Sequence, residues 1–197
     1  SKKYRFVSYI DIKEAIGKGG AIIEGFKRTS GEMVGYADAD GATSAKDFYD
    51  LVSYVKEYDG AIASRWIKGA IVEPKQPFKR RFASRAFNLL GRLLFRLPYH
   101  DTQCGCKVFR RSAIKEVLFS LSTTRWAFDV DLLYQLKRKN KNVAEIPTVW
   151  KDKSGSGINV KKVSMEMFLA ITRLRLVYSP FRFIVNIYNK MVAMAKK

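Results

Sequence analysis

The stretch Met33-Val34-Gly35-Tyr36-Ala37-Asp38-Ala39-Asp40 decides how the rest of the chain is read. Five uncharged, mostly apolar residues predict a short buried strand, and two carboxylates follow at once in the spacing Asp-x-Asp. Side chains of an extended chain alternate with period two, so Asp38 and Asp40 are expected on one side, offering hard oxygen ligands to a single cation. Mg²⁺ or Mn²⁺ suits such ligands and keeps open positions for phosphate oxygens. The spacing alone serves equally well as a loop or a helix cap, so its surroundings must decide.

Working outward, Gly41-Ala42-Thr43-Ser44 leads into a predicted helix over 45–57, and Gly17-Lys18-Gly19-Gly20 forms a glycine loop opening a helix over 21–29. Residues 5–10 read as a strand, as do 61–64 and 143–146. Strand, carboxylates and helix in alternation define an α/β chain. Residues 66–77 read as a mobile connection, and 78–96 as a basic amphipathic helix with Phe82, Ala86, Leu89, Leu90, Leu93 and Leu94 on its apolar side. A turn over 101–107 precedes a helix to about 119; a further helix spans 126–139, and 152–157 form a polar loop. From 161 to 195 the spacing is helical, broken at Ser179-Pro180. Val163, Met167, Ile171, Leu174 and Tyr178 share one face, and Ile184, Tyr188 and Met191 another. The division expected is a domain over 1–160 and a basic helical segment over 161–197.

With 197 residues, 47% of them hydrophobic, the chain can bury a core that needs neither disulfides nor a structural metal. Cys104 and Cys106 are too close for an ordinary bridge and read as packed thiols in a reducing compartment. One histidine disfavours a His-based metal site, and no apolar run approaches the roughly 18 residues of a spanning helix. The net charge is +19, and it is focused: residues 74–128 hold twelve Lys and Arg against only Asp101 and Glu116. Such a field recruits phosphates, in nucleic acid, a bilayer or a substrate.

The ordered set Gly17-Lys18-Gly19-Gly20-Ala21, Gly35-Tyr36-Ala37-Asp38-Ala39-Asp40-Gly41-Ala42-Thr43, Ser64-Arg65, Asp101-Thr102-Gln103-Cys104-Gly105-Cys106-Lys107 and Arg125-Trp126-Ala127-Phe128-Asp129-Val130-Asp131 resembles the family 2 glycosyltransferases that load a sugar onto a polyprenyl phosphate. The likeness runs from about residue 5 to residue 178, toward the branches that make dolichyl-phosphate glucose and mannose. Ala42 stands where the mannose branch often carries Gln, which favours the glucose branch. The implied fold is an A-type nucleotide-diphospho-sugar transferase sandwich. Family members begin with a further strand, helix and strand, so an N-terminally truncated sandwich is expected.

The resemblance implies inverting transfer of a hexose, glucose rather than mannose, from UDP-glucose, or from GDP-mannose as the alternative, to a polyprenyl phosphate. Asp38, Asp40 and Asp129 are the implied catalytic residues, and Asp38 and Asp40 the ligands of Mg²⁺ or Mn²⁺. Lys18, Gly19, Gly20, Asp38, Gln103 and Lys107 would bind the donor, with Asp101 lining the same cleft. Arg65, Arg80 and Ser84 would hold the acceptor phosphate, where the planar guanidinium fork gives paired hydrogen bonds. Attachment is expected at the cytoplasmic, inner face of the membrane, through residues 161–197. A homo-oligomer, or a partner supplying the N-terminal unit, fits the same reading. The competing readings are a catalytically incomplete subunit or scaffold and a basic nucleic-acid-binding module; the second leaves the Asp-x-Asp unexplained, so no nucleic acid is expected as partner.

Overall fold

The computed structural model describes residues 6–74, 77–122, 127–151 and 160–194. At its centre is a mixed sheet of four strands, β1 (Met33–Ala37), β4 (Cys106–Arg110), β2 (Gly60–Ser64) and β5 (Val143–Pro147), adjacent in that order. β4 runs antiparallel to both its neighbours, with Tyr36 opposite Lys107 and Ala37 opposite Cys106, whereas β2 and β5 are parallel. A second, parallel pair joins β3 (Ile71–Glu73) to β6 (Val149–Lys151).

Helices cover both faces, as the α/β pattern requires. On one face Val34, Ile62 and Phe109 pack with α1 (Gly17–Arg28), α3 (Phe78–Phe95), α4 (Arg111–Val117), α5 (Phe128–Arg138) and α6 (Val160–Val177). On the other, Ala61, Ala63 and Val108 meet Leu51 and Val55 from α2 (Ala45–Tyr54) and its C-terminal end. Ala61, Ile62 and Ala63 are all buried, the continuous apolar run of a strand covered on both faces. Ser44 caps α2 by accepting the Asp47 N–H at 3.1 Å.

The structure corrects several expectations. Residues 6–10 form no strand, and Phe6 and Tyr9 lie exposed. α1 begins at Gly17, not at 21, because the glycines are packing positions: a Cβ on Gly19 would lie 2.7 Å from the Phe128 ring. The connection over 66–77 contains β3, whose partner lies almost eighty residues away. On α3 the buried residues are Phe87, Asn88, Gly91 and Phe95, while Phe82, Leu89 and Leu93 face out. The helix is apolar on both sides, and the side that carries Gly91 is the one that meets Ile171 of α6 and Val130 of α5.

The face of α6 that carries Ile171 and Leu174 packs into the core, with Met167 and Tyr178 beside it, so it is not available to a bilayer. Burying each such aliphatic side chain contributes roughly 1.5–3 kcal/mol, which holds α6 on the body of the molecule. The break at Ser179-Pro180 does separate α6 from α7 (Arg182–Met194). Among the described residues no helix is long and apolar enough to cross a membrane. Arg125, Trp126, residues 152–157, Lys196 and Lys197 lie outside the described residues.

Candidate active site

Three elements converge on one carboxylate. Tyr36 and Lys107 are cross-strand neighbours on β1 and β4, and their side chains reach the same side of the sheet as the start of α5. There Asp129 Oδ1 accepts the Tyr36 hydroxyl and the Lys107 ammonium, each at 2.5 Å, and Oδ2 accepts Lys18 from the first turn of α1 at 3.2 Å. Lys107 also donates to the Cys104 carbonyl at 2.6 Å. Lys18 reaches forward to Asp38 Oδ1 at 2.9 Å, and both ammonium groups lie over the Tyr36 ring.

The cluster is graded in depth. Lys107 is fully buried and Asp129 nearly so, while the side chains of Lys18 and Asp38 are 35% and 40% exposed. Burial alone pushes the Asp129 carboxyl up, but the Lys107 and then the Lys18 ammonium outweigh it and hold it at about 2. Lys18 is held above its ordinary value: burial opposes its charge, and Asp129 and Asp38 more than compensate. Burial, reinforced by Asp129, likewise keeps the Tyr36 phenol protonated. Basic and acidic side chains thus alternate from the core outward, Lys107, Asp129, Lys18 and Asp38 in turn, with Lys18 and Asp38 at the mouth.

Asp38 leaves the end of β1 with its N–H on the Gly105 carbonyl at 2.7 Å. Its carboxylate lies directly over Gly105, where a Cβ would sit 1.8 Å from Oδ2. Asp40 departs from the expected geometry: it lies in a turn, and its Oδ1 accepts the Ala42 N–H at 2.9 Å, so strand alternation does not set its direction. Both carboxylates are nevertheless exposed hard-oxygen donors at the end of one strand, which suits Mg²⁺ or Mn²⁺. Among the described residues no group of three or more His, Cys, Asp or Glu side chains is assembled to hold a metal.

A second cluster centres on Asp101, which is fully buried and therefore not a lining residue of an open cleft. Arg65 grips it with both edges of its fork, Nε to Oδ2 at 2.7 Å and Nη2 to Oδ1 at 3.0 Å, and adds its own N–H at 3.0 Å. Burial favours the neutral acid, but Arg65 holds the Asp101 carboxyl below its usual range. Two edges of the Arg65 fork are thus spent within the protein. Lys107 is likewise inside the protein, where it positions Asp129 and does not face a donor.

The neighbouring loop is pinned to α3. Asn88 Oδ1 accepts the Thr102 N–H and hydroxyl, both at 2.8 Å, and Asn88 donates to the Ser84 carbonyl at 3.1 Å. Ser84 and Arg80 are half-buried on the first turns of that helix, and Gln103 is half-buried with its N–H on Asp101 at 3.2 Å. Gly19 and Gly20 are buried against Phe128 and Ile16. Cys104 and Cys106 are free, buried thiols that burial pushes up to about 11 and about 12, so they are packed and not nucleophilic.

Sequence reasoning missed Tyr36, Asn88 and Glu145. Tyr36 carried a signal, since period two places it on the side of Asp38. Glu145, which accepts the His100 and Asp101 N–H groups at 2.9 and 2.7 Å, carried none.

Comparison with known proteins gives the family. Residues 1–118 match the glycosyl transferase family 2, and the chain belongs to that family. It is 33% identical over 162 residues to Glycosyltransferase AglD of Haloferax volcanii, a match covering 81% of this chain and 26% of that protein. It is 31% identical over 190 residues to the dolichyl-phosphate beta-glucosyltransferase of Dictyostelium discoideum, covering 93% of this chain and 56% of the relative. To the human dolichyl-phosphate beta-glucosyltransferase it is 34% identical over 163 residues, covering 79% and 49%. The chain therefore spans about half the length of the two glucosyltransferases and about a quarter of the Haloferax protein.

Proposed function

We propose that the chain carries the transfer site of an enzyme that moves glucose, with inversion, from UDP-glucose to a dolichyl-type polyprenyl phosphate at a membrane surface. Support comes from the relatives named dolichyl-phosphate beta-glucosyltransferase and, above all, from the Lys18–Asp38–Asp129 chain of charges at the end of β1. GDP-mannose is the alternative donor.

In this reading Asp38 and Asp40 are the residues that would hold Mg²⁺ or Mn²⁺. The cation supplies Lewis-acid neutralisation of the charge that builds on the leaving nucleoside diphosphate. Lys18, the only ammonium of the cluster that reaches solvent, lies beside Asp38 and adds a fixed positive charge there. Asp129 does not move protons, because its carboxyl titrates near 2. It sets the position of Lys18 and neutralises Lys107, and is thus a positioning residue.

The attacking group is a phosphate monoester with a second pKa of about 6, mostly dianionic at neutral pH, so no general base is required. What the reaction needs is cationic placement of that phosphate. Arg80 and Ser84 on α3 would supply it, with Arg65 holding the intervening loop through Asp101. α7, with Ile184, Tyr188 and Met191 exposed, would lie against the cytoplasmic face of the bilayer.

The test is transfer of labelled sugar to dolichyl phosphate by the full-length enzyme with Mn²⁺, comparing UDP-glucose with GDP-mannose. Glucose transfer that falls at least a hundredfold in Asp38→Asn is expected. A protein that binds UDP-glucose but transfers nothing would instead be a catalytically incomplete subunit.

A further inference from the structure

Arg65 is held along the edges of its fork by Asp101, and its planar group lies over two indole rings, 5.4 Å from the centroid of Trp66 and 5.3 Å from that of Trp150. Trp150 is buried and stands in the middle of β6, whose three residues join two parts of the molecule. It pairs in parallel with Val72 of β3 and forms an antiparallel bridge with Thr43, and the next residue, Lys151, donates its N–H to the Ala42 carbonyl at 2.8 Å. Ala42 in turn donates its own N–H to Asp40 Oδ1 at 2.9 Å. The turn that carries Asp40 is therefore held at Ala42 through both the carbonyl and the N–H. Trp150 also shares one buried cluster with Ala42, Cys104 and Cys106, the last two from the segment that follows Asp101. The backbone of one residue thus meets the Asp40 turn while its ring meets Arg65.

We infer that Trp150 is a positioning residue of the transfer reaction, which fixes the turn of Asp40 and the guanidinium of Arg65 relative to one another. The inference rests on the transfer reading of this site and adds to it a residue that acts through others. The edges of the Arg65 fork go to Asp101, so its faces are what a ring can hold, and an indole face attracts a guanidinium most strongly where water is excluded. The Arg65 side chain is 11% exposed, which meets that condition. Through Asp101, which also accepts the Gln103 N–H, the orientation of Arg65 passes to the loop over 101–107. A residue that only filled the core could be any apolar side chain of this size. The π face over a cation is what an aliphatic side chain cannot supply. Misplacing reacting groups by about 1 Å costs on the order of a hundredfold in rate, so a residue that sets one part of the site against another acts on kcat and not on affinity.

The test pairs kinetics with residue-resolved amide exchange in the full-length protein. Trp150→Leu keeps an apolar side chain without a ring, and Trp150→Phe keeps a ring. In transfer from UDP-glucose to a short-chain polyprenyl phosphate, Trp150→Leu should lower kcat at least tenfold with both KM values within about threefold, and Trp150→Phe should stay within about threefold of wild type throughout. Leu51→Ala, which opens the same apolar cluster from α2, should lower the urea midpoint and leave kcat within about twofold. The Ala42 and Arg65 amides, which donate to Asp40 and Asp101, should exchange at least tenfold faster in Trp150→Leu and near the wild-type rate in Trp150→Phe. Unchanged kcat in a folded Trp150→Leu, a rise in KM alone, a Phe variant as impaired as the Leu variant, or an equal loss of kcat in Leu51→Ala overturns the role given to Trp150. Wild-type exchange at both amides in Trp150→Leu overturns it too. A wild-type protein that transfers no glucose overturns the functional reading, and the exchange rates then decide whether Trp150 fixes the two groups. If Trp150→Leu does not fold, Arg65→Lys takes its place, removing the planar group from over the ring. Exchange at Ala42 should then quicken at least fivefold, and a wild-type rate there overturns the inference.

Discussion

Replacing Asp129 with Asn keeps its shape and removes its charge, and the structure sets the cost. The Lys107 ammonium is fully buried and is held by Asp129 at 2.5 Å and the Cys104 carbonyl at 2.6 Å. Without the carboxylate, a cation remains inside the protein with a carbonyl dipole as its acceptor, and breaking a buried pair in this way costs about 3–5 kcal/mol. Lys18 adds little, because it is partly exposed and regains water. With a urea m-value of about 2 kcal/mol/M, the unfolding midpoint should fall by about 1.5–2.5 M. Adding Lys107→Met removes the stranded charge and should restore at least half of the loss. The pH profile gives an independent reading. The Asp129 carboxyl is lowered from 3.8 to about 2, so its stabilisation is complete above about pH 4 and is lost as pH falls toward 2. Asp129→Asn should lack that acid limb. A midpoint shift under about 0.5 M, or no recovery in the double variant, would refute the account of Lys107 as a cation dependent on Asp129.

Gly105→Ala places a Cβ 1.8 Å from Asp38 Oδ2, so the carboxylate must swing away and release Lys18. Because that pair is partly exposed, the melting temperature should barely change, while calorimetric Mn²⁺ affinity in the presence of UDP should drop at least tenfold. Gly19→Ala meets the Phe128 ring at 2.7 Å, and the overpacking, typically about 1–3 kcal/mol, should exceed the ~1 kcal/mol gained in helix propensity. A lower urea midpoint is therefore expected.

The parts of the fold that were legible in the sequence are those fixed by short-range physics. β1 is an uncharged run closed by carboxylates, α2 begins at a serine cap, and β2 is a short continuous apolar run. β3 and β6 are three residues each and exist because they pair with one another across the chain, so no window contains their signal. α3 was legible as a helix but not in its orientation, since leucines and phenylalanines occupy both sides and tertiary contact with α6 decides which side is inside. In the site, the carboxylates were legible because Asp-x-Asp is a local pattern. The roles of Lys107 and Arg65 were not, because each is defined by a buried carboxylate far away in sequence, Asp129 and Asp101 respectively.

α5 shows how little residue type alone decides. Asp129 and Asp131 are two residues apart on one helix and both are buried, yet their carboxyls shift in opposite directions. Desolvation acts on both and favours the neutral acid. At Asp129 two ammonium groups oppose it and win. At Asp131 the partners are the Tyr178 hydroxyl at 2.7 Å and the Ser122 N–H and hydroxyl at 2.7 and 3.0 Å, dipoles that only partly offset burial, so its carboxyl is held above the ordinary value. Two residues along a helix is about 200° around it, so the two carboxylates face opposite ways. One fixes the charges of the site, and the other ties α5 to Tyr178 at the end of α6, just before the turn into α7. The helix that positions Lys18 therefore also holds the end of α6, just before the segment proposed to meet the membrane.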